Sequence, residues 1–188
     1  MWKSDVNSAA ASQSRIQNMG RKDLLALWER IKARNVPAEW QPGKAFEYLV
    51  CRAFDLEHVD VTWPYTVTYP QKLGPVEQMD GAVRLDGVTF LLESKDQDEA
   101  ASIEAIAKLR FRLERRPPGT MAVLFSVSNV TRVTEFFAQF ASPLNVLLWN
   151  FSDLDFALRR AKMAVGLREK MRYAGENGLP MRTLGGNT

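Results

Sequence analysis

Apolar residues recur along this chain with two periods. Leu24, Leu27, Trp28 and Ile31 fall at helical spacing between Arg21 and about Asn35, and Pro37 and Pro42 then stop the pattern. A second helical stripe, Phe46, Leu49, Val50, Ala53 and Phe54, predicts a helix over 43–56. Over 61–69 the period changes to two, in a run rich in β-branched and aromatic residues, and Pro64 marks it as an edge strand. Gly74-Pro75 signals a turn within a linker over 70–76. Further on, Ile103, Ile106, Leu109 and Leu113 predict a helix that ends at Pro117-Pro118-Gly119. Residues 121–128 read as a central strand, 131–141 as a short helix bearing Val133, Phe136, Phe137 and Phe140, and 145–150 as a buried strand. Ser152 or Asp153 can cap a last long helix running towards Tyr173. This order, with three strands before the first crossover helix, predicts an α/β sandwich: a central mixed β-sheet flanked by helices.

The sharpest local prediction is a hairpin. Asp86-Gly87 separates two apolar alternating runs, the signature of a two-residue turn. Leu85 then pairs with Val88, Val83 with Phe90 and Ala82 with Leu91, and Asp80 lies opposite Glu93. One face, Val83, Leu85, Val88, Phe90 and Leu92, is core. The other carries Asp80, Ala82, Leu91, Glu93 and Lys95. Like charges opposed on a sheet repel, whereas a divalent cation between them reverses the sign. Glu47 shares part of the apolar side of its helix and can point inward towards the same place. A first-turn glutamate favoured by the helix dipole explains it equally well.

Composition narrows the chemistry. The chain has 188 residues, 46% hydrophobic, enough for one globular domain. Cys51 and His58 are the only cysteine and histidine, so internal disulfides, cysteine-rich zinc sites and multi-histidine zinc sites are excluded, and a Ser-His-Asp triad is disfavoured. Without an apolar run long enough to span a bilayer or an evident signal peptide, no membrane partner and a cytoplasmic location are expected. The net charge of +3 is compatible with a nucleic-acid partner without requiring one.

Glu47, Asp80, Glu93 and Lys95 are the candidate catalytic group. Asp80 and Glu93 supply hard oxygen ligands, the Ser94 backbone carbonyl can add another, and Glu47 can act through a metal-bound water or a second metal. A metal held there would polarise a phosphate and relieve charge on a leaving oxygen. Lys95 projects to the same side as Glu93, where its amine can orient water or stabilise the pentacovalent phosphate. The same residues also fit a turn aspartate and a solvated strand end, and pattern alone leaves both readings open.

Asp80 followed by Glu93-Ser94-Lys95 on a hairpin, after a helix bearing Glu47, resembles the PD-(D/E)xK nuclease superfamily, and within it the Mrr-type restriction endonucleases. The resemblance covers about 43–150; Met79 stands where the motif is named for proline. It implies a restriction-endonuclease-like fold and a magnesium-dependent endodeoxyribonuclease, with manganese as a substitute. Asp80 and Glu93 would be metal ligands, Lys95 the catalytic lysine and Glu47 the acidic residue of the first core helix. It also implies DNA as partner, a homodimer or a larger defence or repair assembly, and a role in phage defence or DNA repair. A non-catalytic nucleic-acid-binding or assembly domain of the same fold shares the pattern.

Charge is unevenly placed. Residues 55–99 hold ten acids against Lys72, Arg84 and Lys95. Residues 159–172 carry Arg159, Arg160, Lys162, Arg168, Lys170 and Arg172 against Glu169, and the helix before Pro117 adds Arg110, Arg112, Arg115 and Arg116. Arg110, Arg112, Arg115, Arg116, Arg159, Arg160 and Lys162 are the candidates for a nucleic-acid backbone, though a solvated helix face explains them too. The expected organisation is an arm over 1–20, a helical element over 21–42, the α/β core over 43–150, a basic helix over 151–174 and a loose tail over 175–188.

Overall fold

The computed structural model describes residues 11–68 and 75–185. Two helices, α1 (Arg21–Lys32) and α2 (Lys44–Asp55), precede strands β1 (Asp60–Thr62), β2 (Tyr65–Thr68), β3 (Pro75–Met79), β4 (Gly81–Leu85) and β5 (Val88–Lys95). Helix α3 (Ile103–Leu113), β6 (Met121–Ser126), α4 (Arg132–Phe140), β7 (Val146–Trp149), α5 (Phe151–Arg160) and α6 (Met163–Asn177) follow. A five-stranded sheet in the order β1-β4-β5-β6-β7 lies at the centre. Its β1-β4-β5 part is antiparallel and its β5-β6-β7 part parallel, as hairpins and helical crossovers respectively require. This is the mixed α/β sandwich that the sequence predicts.

The hairpin register is as predicted from Leu85↔Val88 to Ala82↔Leu91, and the ladder ends at Gly81↔Leu92. Asp86 and Gly87 both have positive φ, 52° and 80°, the type I′ geometry that matches strand twist. The expectation of one core face needs correction. Val83, Phe90 and Leu92 join α1, α2, α5 and α6 in one core, while Ala82 and Leu91 join Ala105, Leu109 and Ala138 in a second. Because β5 has neighbours on both edges and helices on both faces, its alternation is masked by burial on each side.

Five other expectations change. The run 61–69 is two strands: β1 pairs with β4 and β2 with β3 in a separate two-stranded sheet, and Tyr69 lies outside the described residues. The linker 70–76 ends early, since β3 starts at Pro75; its residues 70–74 are outside the description. Residues 11–17 are helical, and Ile16 is fully buried in the first core, so the described part of the arm is packed. The C-terminal basic helix is two helices parted at Ala161 (φ 50°), and Asn150 rather than Ser152 or Asp153 caps the first of them. The tail is docked as far as Leu184: Pro180 O accepts from Leu148 N at 3.0 Å and Leu184 N donates to Asp153 Oδ1 at 2.8 Å.

Candidate active site

Each candidate residue reaches one end of the sheet by its own local device. Asp80 is the single residue between β3 and β4. Register is continuous across this break, with Thr62 opposite Ala82 and Tyr65 opposite Met79, so Pro64 falls opposite Asp80. Proline has no N–H for the ladder, and the ribbon parts there. Freed from pairing, the Asp80 carboxylate accepts a hydrogen bond from Ser94 N at 2.5 Å. Glu93 and Lys95 leave β5 on one side, and Lys95 Nζ donates to Glu93 Oε1 at 3.0 Å. Glu47, on the first turn of α2, points inward and pairs with Lys44. Helix α2 comes this close because residue 81 is glycine: a Cβ there would lie 2.7 Å from Cys51 Sγ and 3.3 Å from Thr62 O. The Cys51 thiol donates to Asp80 O at 3.6 Å, tying helix to strand break.

The carboxylates feel one another. Asp80 is pushed up to about 7, first by burial and then by the Glu47 and Glu93 charges, against the Ser94 N–H and Lys44. Glu47 is also raised, by burial first, with Lys44 opposing and Glu93 contributing. Burial would raise Glu93 too, but Lys95, Lys108 and Arg112 outweigh it and hold Glu93 below its ordinary value.

Lys108 and Arg112 are additions that sequence reasoning did not assign to the site. Lys108 Nζ donates to Glu93 Oε1 at 3.1 Å and Arg112 Nη1 to Glu93 Oε2 at 2.7 Å. Arg112 is only 6% exposed, and it continues to Glu77 at 3.2 Å and to Gln78 O at 2.5 Å. Arg115 and Arg116 also bind Glu77, at 2.9 and 3.0 Å. Lys108 and Arg112 lie one turn apart on α3, and Arg115 and Arg116 follow just past its end. Their acidic partner was hidden because residues 75–79 give no strand pattern.

The candidate nucleic-acid residues therefore separate. Arg112 is not a surface residue; its guanidinium is fully engaged inside. Arg110 binds the Ser142 and Pro143 carbonyls at 2.6 and 3.0 Å, and Arg159 binds Asp155 and Glu29 at 2.8 and 2.5 Å. Arg160 lies over the Phe156 ring at 4.4 Å, and Lys162 is exposed ahead of α6. Lys170, counted with the basic face, is buried on Asp153 at 2.8 Å.

The donor set suits a hard divalent cation in kind: carboxylate oxygens of Asp80, Glu93 and Glu47, close enough to raise or lower one another's protonation. Among the described residues no three His, Cys, Asp or Glu side chains form a ready metal cluster. A cation here would rest on Asp80 and on Glu93 Oε1, with backbone and water completing its shell.

No family model matches the sequence, and no curated protein does. Among solved structures, the chain is similar to the MspJI restriction endonuclease in complex with a 27-mer oligonucleotide, at 16% identity and a TM-score of 0.45. The match covers 83% of this chain and 35% of that one, so the chain spans about a third of that protein's length. No described helix is long and apolar enough to cross a membrane.

Proposed function

We propose that this chain is a metal-dependent endonuclease of the PD-(D/E)xK kind, acting on phosphodiester bonds in DNA. The observation that carries the reading is the meeting of Asp80, Glu93 and Lys95 at one strand end with Glu47 from α2. Asp80 and Glu93 would hold magnesium or manganese, with the Ser94 carbonyl and a Glu47-bound water as further ligands. The ion would supply Lewis-acid activation of the phosphate. Arg112 fixes Glu93 by its Oε2 atom, and Lys95 and Lys108 share Oε1. With a cation on Asp80 and Glu93, Lys95 would be placed to orient the attacking water and Lys108 to contact the phosphate.

A second reading, a non-catalytic nucleic-acid-binding domain, draws on a specific observation: three cations already neutralise Glu93. Incubation of the purified chain with plasmid, linear duplex, single-stranded DNA and RNA, in magnesium, manganese or chelator, separates the two. The endonuclease reading expects metal-dependent cutting of at least one DNA form. Folded protein that binds DNA but cuts nothing in either metal favours the second. A role in phage defence or repair would follow from the substrate form preferred.

A further inference from the structure

Strand β3 turns Glu77 and Met79 to one side and Gln78 to the other. Met79 enters the core beside Leu109 and Leu113 of α3, and Glu77 is buried with it. Replacing a buried ion pair by packed apolar side chains is often neutral or stabilising, so stability alone does not account for a carboxylate here. Glu77 gathers three guanidinium groups: Arg112 Nε at 3.2 Å, Arg115 Nη2 at 2.9 Å and Arg116 Nη1 at 3.0 Å. The same Arg112 guanidinium donates through Nη1 to Glu93 Oε2 at 2.7 Å and through Nη2 to Gln78 O at 2.5 Å. One planar group thus separates Glu77 from the candidate metal ligand Glu93.

Charge decides what that neighbour does. Lys95 and Lys108 lie on Glu93 Oε1, at 3.0 and 3.1 Å, and Arg112 lies on Oε2. Arg115 and Arg116 stand behind Arg112, so five cations bear on Glu93 and a divalent ion arriving there meets their combined repulsion. Glu77 offsets the inner three. It does so where solvent screens little, since its side chain and that of Arg112 are 6% and 7% exposed. Resting on the metal-dependent reading above, we propose that Glu77 is a positioning residue for the metal: as counter-charge to Arg112, Arg115 and Arg116, it leaves Glu93 able to hold a divalent cation. It touches neither ion nor substrate and acts through Arg112. The β2–β3 ribbon thereby belongs to the site, because Glu77 is held in it opposite Val67.

Calorimetric titration of manganese into the full chain, at pH 8 and low ionic strength, tests it with affinity as the readout. Glu77→Gln keeps an oxygen for Arg112 and removes the charge. Affinity should fall about five- to tenfold, the size of one charge acting on a divalent ion through partly screened surroundings. Glu114→Gln, the same loss of charge at an exposed position just past α3, should leave it unchanged. A merely structural role would not answer to charge removed elsewhere. Adding Arg115→Gln, at a half-exposed position, to Glu77→Gln should therefore regain about twofold. Arg115→Gln alone should tighten binding by a similar factor, and it decides the matter if Glu77→Gln fails to fold. A Glu77→Gln chain with the parent's affinity overturns the proposal, and so does a loss that Arg115→Gln does not relieve. A parent that binds manganese and cuts nothing, with Glu77→Gln weakened, supports this inference and overturns the nuclease reading. A parent that cuts, with Glu77→Gln binding equally well, does the reverse. A parent that binds no manganese overturns both.

Discussion

Asp153 is a buried carboxylate and Asp80 a half-buried one, and their surroundings are opposite. Asp153 has no exposed side-chain surface and its bonds are complete: Lys170 Nζ at 2.8 Å and Asn150 N at 3.2 Å on Oδ2, and Leu184 N at 2.8 Å on Oδ1. Lys170 in turn donates to the Leu148 and Arg182 carbonyls at 2.9 and 2.5 Å. The pair joins β7, α5, α6 and the tail. Asp80 has one backbone N–H and two like-charged neighbours, and is pushed up to about 7. A closed network holds a fold together, whereas an open one has capacity left for a ligand.

Breaking the closed network should cost most. Lys170→Met leaves Asp153 buried without its cation and should destabilise the chain by ~3–5 kcal/mol, read as a lower urea midpoint. Arg112→Met strands Glu93 and Glu77 in the same way, but Lys95, Lys108, Arg115 and Arg116 remain on them. A smaller loss of ~2–4 kcal/mol is expected, together with slower cleavage because Glu93 is no longer held by Oε2.

The open site should respond with the opposite sign. The folded-state value for Asp80 lies above its unfolded one of 3.8, so folding favours the protonated form. Its penalty is absent below about pH 4, grows as pH rises, and is complete above about pH 7. Asp80→Asn should therefore be more stable than the parent at pH 8 without divalent metal, by ~1–3 kcal/mol, and equal to it near pH 4. Denaturant midpoints measured across that range check both the sign and the window. The smallest effect belongs to the surface. Arg168 clasps Asp86 at the hairpin turn, at 2.7 and 3.0 Å, but both are about half exposed, so Arg168→Ala should barely move the urea midpoint and lose even that effect in high salt.

Most of the sheet was legible because local signals agreed with the final packing. Asp86-Gly87 set the turn and the turn set the register as far as Gly81 opposite Leu92; Asp80 lies just past the end of that ladder and reaches Ser94 N instead. What stayed hidden depended on groups distant in sequence. The break at Asp80 needs Pro64 across the ribbon, and the Arg112 network needs Glu77 on a strand without alternation. Lys170 looks like surface charge until Asp153 comes to meet it. A basic residue in a helix says nothing by itself about whether a carboxylate waits on the facing element, so the cationic faces were the least readable part of the chain.

The measurement closest to the central claim is calorimetric titration of manganese and magnesium into the parent and Asp80→Asn at pH 8, with plasmid cleavage followed on the same samples. The account predicts that the parent binds metal and cuts, while the variant, still folded and no less stable, loses at least tenfold in affinity and nearly all of its cleavage. An Asp80→Asn chain that binds metal and cleaves like the parent would contradict it.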